Sequence, residues 1–228
     1  MNEAEDYAYI ELNDIWKIYK NEDDVIHALS RINCSFKECS FNIIVGPSGC
    51  GKSTLIRILG LIETPSLGNV MINCENTSDL PQKIRNSIIR DEIGMVFQSS
   101  NLIQTLNAIE NLTLPMLSSD NEKAKDLLNK VGFNDYNKYP NEMSIQEEQR
   151  VCIARAMVNN HSIILLDEPT GALHSKESFE IMELLLELNR SEGLTIILTT
   201  NNKKLSQFDC NMFEMIDGTI LNRTEHTS

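Results

Sequence analysis

The residues best able to do chemistry are the nine from Gly46 to Thr54: Gly46-Pro47-Ser48-Gly49-Cys50-Gly51-Lys52-Ser53-Thr54. They match the pattern G-x-x-x-x-G-K-[ST], and each residue type has a reason to be there. Glycines let successive backbone N–H groups point into one concavity, and let the chain approach a polyphosphate with no Cβ in the way. Lys52 brings a compact cation for β- and γ-phosphates, and the Ser53 hydroxyl is placed to ligate Mg²⁺. A second constellation is Ile163-Ile164-Leu165-Leu166-Asp167-Glu168, an apolar run that delivers two carboxylates at its tip. Asp167 suits the Mg²⁺ shell. Glu168 can activate a water for attack on a γ-phosphate.

Both constellations need elements that hold them. Phe41-Asn42-Ile43-Ile44-Val45 is strand-sized and enters the loop, and Leu55-Ile56-Arg57-Ile58-Leu59 leaves it with helical character and ends at Gly60. That strand–loop–helix context places the positive end of a helix dipole at the phosphates.

Around this unit the pattern predicts a strand over 7–20, an acidic turn over 21–24, and two further strands over 25–36 with a break at Ser30-Arg31. Short strands are expected over 69–74 and 91–98, and helices over 80–90, 101–117, 121–131 and 145–159. A buried strand over 162–166, a helix over 176–192, a buried strand over 194–200 and a hairpin turning at Asp217-Gly218 complete the chain. Strands alternating with helices imply an α/β fold with a mostly parallel sheet covered on both faces.

Composition sets bounds. The chain has 228 residues, 41% hydrophobic and 23% charged, as expected of a globular protein with a substantial core. No apolar run is long enough to cross a bilayer, and the acidic N-terminus does not read as a secretory signal, so a cytosolic protein is expected. A formal net charge of −13 argues against nucleic acid or an anionic membrane surface as the main partner. The six cysteines show no C-x-x-C or Cys/His ligand spacing and read as reduced, buried small hydrophobes. His27, His161 and His226 have no motif around them and read as surface or packing residues.

Taken together, the loop, Ile93-Gly94-Met95-Val96-Phe97-Gln98, Glu110-Asn111-Leu112, the stretch from Gln149 to Met157 and the stretch from Leu165 to Leu173 resemble the ATP-binding-cassette (ABC) ATPases. The resemblance runs from about residue 9 to 222, and is nearest in character to subunits serving lipoprotein-release, macrolide-export and cell-division permeases. It implies a P-loop NTPase core with an antiparallel β-subdomain (about 7–98 and 160–225) and an inserted helical lobe (about 99–159), in a single domain over 7–225. It aligns Tyr19 with the family's adenine-stacking aromatic. It aligns Gln98 with the glutamine that reaches the Mg²⁺ and γ-phosphate and links the core to the lobe facing the permease.

Three departures stand out. Where the family has Leu-Ser-Gly-Gly-Gln, this chain has Met143-Ser144-Ile145-Gln146-Glu147. β-Branched Ile145 and bulky Gln146 should impair the approach of that backbone to a nucleotide held by the opposite subunit of a dimer. The loop after Glu168 ends in His174 where the family has Asp, and the switch histidine position holds Asn201. An amide cannot carry charge, so transition-state stabilisation should weaken.

The resulting expectation is an ATP- and Mg²⁺-dependent transporter subunit, peripheral on the inner face of the membrane through a permease. It would be dimeric with another cassette, more sensibly a different one, and its hydrolysis would be weak or partner-dependent. An ATP-gated regulatory clamp with little hydrolysis is the alternative. A soluble repair or translation factor is disfavoured by the single cassette and the acidic charge.

Overall fold

The computed structural model describes residues 8–20 and 24–224. Tyr7, most of the acidic turn before Asp24, and His226 lie outside the described residues. The strands are β1 (Ala8–Lys20), β2 (Val25–Lys37), β3 (Phe41–Val45), β4 (Leu67–Ile72), β5 (Glu75–Asn76), β6 (Ile93–Val96), β7 (Ile163–Asp167), β8 (Thr195–Thr200), β9 (Asn211–Ile216) and β10 (Thr219–Thr224). Helices are α1 (Lys52–Leu59), α2 (Gln82–Asp91), α3 (Ala108–Thr113), α4 (Asn121–Lys130), α5 (Ile145–Ala156) and α6 (Ser175–Glu192).

The central sheet has the order β10-β9-β3-β8-β7-β6. Strands β9, β3, β8, β7 and β6 are parallel to their neighbours, and β10 closes the edge as an antiparallel hairpin. Its inner strands are buried on both faces, and the two-residue period sorts their side chains. Ile43, Ile164, Leu166, Ile196 and Leu198 join a core beneath α5, α6 and the helical lobe. Ile44, Ile163, Leu165 and Ile197 join a second core beneath α1 and an antiparallel sheet ordered β2-β1-β4-β5. Alternate residues of one strand thus bind two layers together.

Several expected elements differ. The break at Ser30-Arg31 is a bulge within one long strand: Arg31 has φ 55 and the β1–β2 register shifts nearby. The strand expected over 69–74 starts at Leu67 and stops at Ile72, because Asn73 (φ 48) and Cys74 (φ 63) form a hairpin turn into β5. Helix 101–117 shrinks to α3. Asn107 caps it in a reciprocal box with Glu110, while buried Asn111 stabilises the irregular chain before it. The Asn111 amide accepts from Ile103 N–H at 2.8 Å and donates to the carbonyls of Ile103, Leu106 and Asn107 at 3.2, 2.9 and 3.0 Å. The Asp217-Gly218 turn is as expected, both residues having positive φ (45 and 75).

Candidate nucleotide site

The loop emerges at the carboxyl end of β3, flanked by the ends of β8 and β9, the edge where open α/β sheets bind ligands. Its backbone is fixed from several sides. Gly46 N–H donates to Thr200 O at 3.1 Å, and Gly218 N–H of the β9–β10 turn donates to Cys50 O at 2.9 Å. A Cβ on Gly46 would meet the Met215 carbonyl and the Cys50 sulfur, whereas a Cβ on Gly49 (φ 80) would meet nothing within 4 Å. The first glycine is therefore required by packing. The second borders open space on the ligand side.

Cys50 is 4% exposed, and burial pushes its thiol above the usual value, as suits a packing residue. Gly51 (φ 104) starts α1, and Lys52 is 4% exposed. Its ammonium donates to the carbonyls of Gly46 and Pro47 at 2.9 Å each and pairs with Glu168 Oε1 at 3.2 Å. A buried lysine held by two carbonyls and a carboxylate is desolvated and aimed, ready to exchange one partner for a phosphate oxygen.

The carboxylates come from the end of β7. Asp167, 7% exposed, accepts from Thr199 Oγ1 at 2.8 Å, and the same hydroxyl accepts from Glu168 N–H at 3.0 Å. Thr199 lies directly opposite Asp167 on β8, so one threonine orients both acids. Glu168 has φ 48, an uncommon backbone conformation for a non-glycine residue that turns its carboxylate back toward Lys52. A cavity of about 400 Å³ is lined by Ser48, Gly49, Gly51, Lys52, Ser53, Thr54, Gln98 and Glu168, with Ile26, His27, Ala28, Asp217 and Gly218 as its other wall. This donor set fits a Mg²⁺-nucleotide: a glycine cradle open to the ligand, one aimed lysine, and hydroxyl and amide oxygens from Ser53 and Gln98, with the Asp167 carboxylate next to Glu168 at the end of β7.

The other expected residues are placed apart. Tyr19, at the end of β1, is not among the residues lining the cavity. Its hydroxyl donates to Glu63 at 2.7 Å with Lys17 5.1 Å from its ring, and burial followed by the Glu63 contact raises its pKa. Ser144 caps α5 in a reciprocal box with Glu147, which also pairs with Lys138 at 2.8 Å. Ile145 is 56% exposed, and Gln146 Nε2 donates to Glu180 of α6 at 2.6 Å. His174 caps α6, and Asn201 is exposed after β8.

His161, as expected, is a packing residue, its ring between the carbonyls of Ala156 (2.5 Å) and Arg90 (2.9 Å). His27 is exposed and packs on Trp16, as expected of a surface or packing residue, and it also lines the cavity. Thr199 and the β9–β10 turn were also missed as site elements. A threonine opposite an acidic strand tip is visible only once register is known, and the turn reaches the loop only through the fold.

Comparisons with known proteins give the family. The ABC transporter family model matches residues 29–171. An uncharacterized ABC transporter ATP-binding protein of Methanocaldococcus jannaschii, MJ1508, is 42% identical over 219 residues, covering 93% of this chain and 97% of that protein. The macrolide export ATP-binding/permease protein MacB of Bdellovibrio bacteriovorus is 38% identical over 216 residues, covering 92% of this chain and 33% of that longer protein. Among solved structures, the dimeric post-hydrolysis state of the ATP-binding cassette MJ0796 bound to ADP and Pi, a protein of M. jannaschii, aligns with a TM-score of 0.88 at 36% identity, over 96% of this chain and 99% of that one. With the family model spanning more than half of its length, the chain belongs to the ABC transporter family as one of its ATP-binding cassettes, a P-loop ATPase.

Proposed function

We propose that this cassette binds and hydrolyses Mg²⁺·ATP as the motor subunit of a membrane transporter, working in a cassette dimer docked on a permease at the inner face of the membrane. The observation that carries the reading is the junction of Lys52, Glu168, Thr199 and Asp167, which joins phosphate binding to water activation within one hydrogen-bonded group. Lys52 and the loop amides bind and orient the phosphates. Ser53, Asp167 and Gln98 would hold Mg²⁺, which would neutralise phosphate charge when bound. Glu168, freed from Lys52 by the incoming phosphates, accepts the proton of the attacking water.

Support for the permease comes from a groove of about 370 Å³ where α2 and β6 meet the helical lobe. It is walled by Ile89, Ile93, Met95, Phe97, Ile103 and Leu114, and Ile103 and Leu114 are exposed. Phe97 of the groove and Gln98 of the nucleotide cavity are consecutive residues, so the two sites are joined through one short stretch of chain. MacB carries ATP-binding and permease functions in one named protein, and MJ0796 was solved as a dimer. Among the described residues no helix is long and apolar enough to cross a membrane.

A second reading, an ATP-gated clamp with little turnover, is favoured by Ile145, Gln146, His174 and Asn201. ATP turnover of the purified chain, alone and with its permease, separates them. Partner-stimulated turnover that Lys52→Ala abolishes supports the motor. ATP binding with turnover no greater than that of Glu168→Gln under both conditions supports the clamp. Unchanged ATP affinity in Lys52→Ala would remove the site assignment itself.

A further inference from the structure

The cavity wall opposite the glycine loop is built from β2, and its position is set by backbone contacts. A Cβ on Gly51 would collide with the Ala28 carbonyl, and so would one on Gly218. Ser30 N–H donates to Gly218 O at 2.8 Å, and Gly218 N–H to Cys50 O at 2.9 Å. Strand, turn and phosphate loop are thus locked at contact distance, and His27, one residue before Ala28, is carried to the cavity's edge by that lock. Its ring is also buttressed. Trp16 of β1 meets it edge-on, with centroids 6.4 Å apart at 76°, and the indole is tethered by Nε1–H donation to Asp14 at 3.4 Å.

Charge gives the ring a task. Of the described residues lining the cavity, Lys52 is the single lysine or arginine, and it already faces Glu168 and two carbonyls, while Asp217 adds a second carboxylate. Besides Lys52 and the loop amides, the described lining residues offer a polyphosphate the neutral donors of Ser48, Ser53, Thr54 and Gln98. An imidazole supplies at least one N–H in either protonation state.

We propose that His27 is a phosphate-contacting residue of this site, its ring N–H donating to a non-bridging oxygen of the bound polyphosphate, with Trp16 as the positioning residue behind it. This rests on the reading of Gly46 to Thr54 as a phosphate site, and the experiment separates the two. His27→Phe keeps a ring against Trp16 and removes the N–H; His27→Gln restores a donor. Calorimetric titration with tripolyphosphate and with Mg²⁺·ADP should show His27→Phe binding both about tenfold more weakly than wild type, the loss of one hydrogen bond to a charged group. His27→Gln should recover most of that loss, and a matching thermal midpoint would show that the Phe variant is folded.

Trp16 is the only tryptophan, so its emission reports the contact directly. Adding ADP should change the wild-type signal and leave that of His27→Phe unchanged. Wild-type affinity of His27→Phe for tripolyphosphate, with binding lost in Lys52→Ala, would overturn the role of His27 and leave the phosphate site standing. Undiminished binding by Lys52→Ala would overturn both.

Discussion

In the proposed cassette dimer, the phosphate loop and the N-terminus of α5 would face each other across a shared nucleotide, and here they are built on different principles. The loop is held by main chain. Gly46 bonds β8, Cys50 bonds the β9–β10 turn, and Lys52 is caged by two carbonyls and Glu168. The α5 terminus is held by side chains: Ser144 and Glu147 cap each other, Lys138 pairs with Glu147, and Gln146 reaches Glu180. Ile145 stands exposed at its tip. Main-chain geometry leaves little room for residue substitution, whereas a surface of side chains can drift. Of the three departures from the family pattern, the one at Ile145 and Gln146 falls on that second surface, while His174 precedes α6 and Asn201 follows β8; the phosphate loop is intact.

The largest test of the comparison is Glu168→Gln. The substitution keeps size and hydrogen bonding but removes the base and the ion pair to Lys52. Turnover should fall by roughly 10²–10⁴, while nucleotide affinity should hold or rise because Lys52 loses a competing anion. Steady-state phosphate release and nucleotide titration read the two effects separately. If turnover survives, Glu168 is not the base and the loop side of the comparison fails.

The next test is aimed at the other surface. Replacing Ile145 and Gln146 together by glycine removes the steric bar and the tie to Glu180. With the partner subunits present, turnover should rise by about tenfold, equivalent to about 1.4 kcal/mol of barrier. Stability should fall, since glycine in a helical turn costs up to about 1 kcal/mol per residue. Opposite signs for activity and stability are the signature expected of a surface whose side chains serve the resting fold at the expense of the partner. Turnover that falls along with stability would mean that Ile145 and Gln146 are adapted to a partner of different shape.

Smaller in effect on turnover, but large for the fold, is Asn111→Ala in the lobe that carries α5. It would leave one buried N–H and several carbonyls without their side-chain partner, costing about 2–3 kcal/mol, read by denaturant titration. The loop side should be untouched: ADP affinity of the folded variant should equal that of wild type. A drop in ADP affinity would show that lobe and loop are coupled within one subunit.

Asn111 also shows where the sequence could be read and where it could not. Gly46 to Thr54 and the tip of β7 were legible because one buried strand and a fixed spacing determine their geometry. Residues 101–117 were not, because their apolar period resembles a helix, and only the fold reveals that Asn111 supplies the hydrogen bonds that let 101–107 remain irregular. Arg31 and the Asn73-Cys74 turn were misread for a related reason: positive φ at a non-glycine residue is permitted by its neighbours and leaves little mark in the residue itself. Thr199 and His27 belong to the site through register and through the lock of β2 on the loop, both long-range. Strand interiors and glycine loops announce themselves locally; the groups that orient them do not.

The smallest effect concerns the α5 cap. The ion pair with Lys138, followed by the hydrogen bond from the Ser144 N–H, holds the Glu147 carboxyl below its ordinary value of 4.5. A carboxylate whose folded pKa is depressed contributes stability that is present above its unfolded pKa and is lost as pH falls through the folded one. Glu147→Gln should therefore cost about 0.5–1 kcal/mol near neutral pH, the scale of a partly exposed pair and a cap. The gap to wild type should close as pH drops below about 4.5. Thermal melts across that range decide it. A gap that persists into acid would assign Glu147 to packing, and would remove the cap from the side-chain devices that distinguish this surface from the loop.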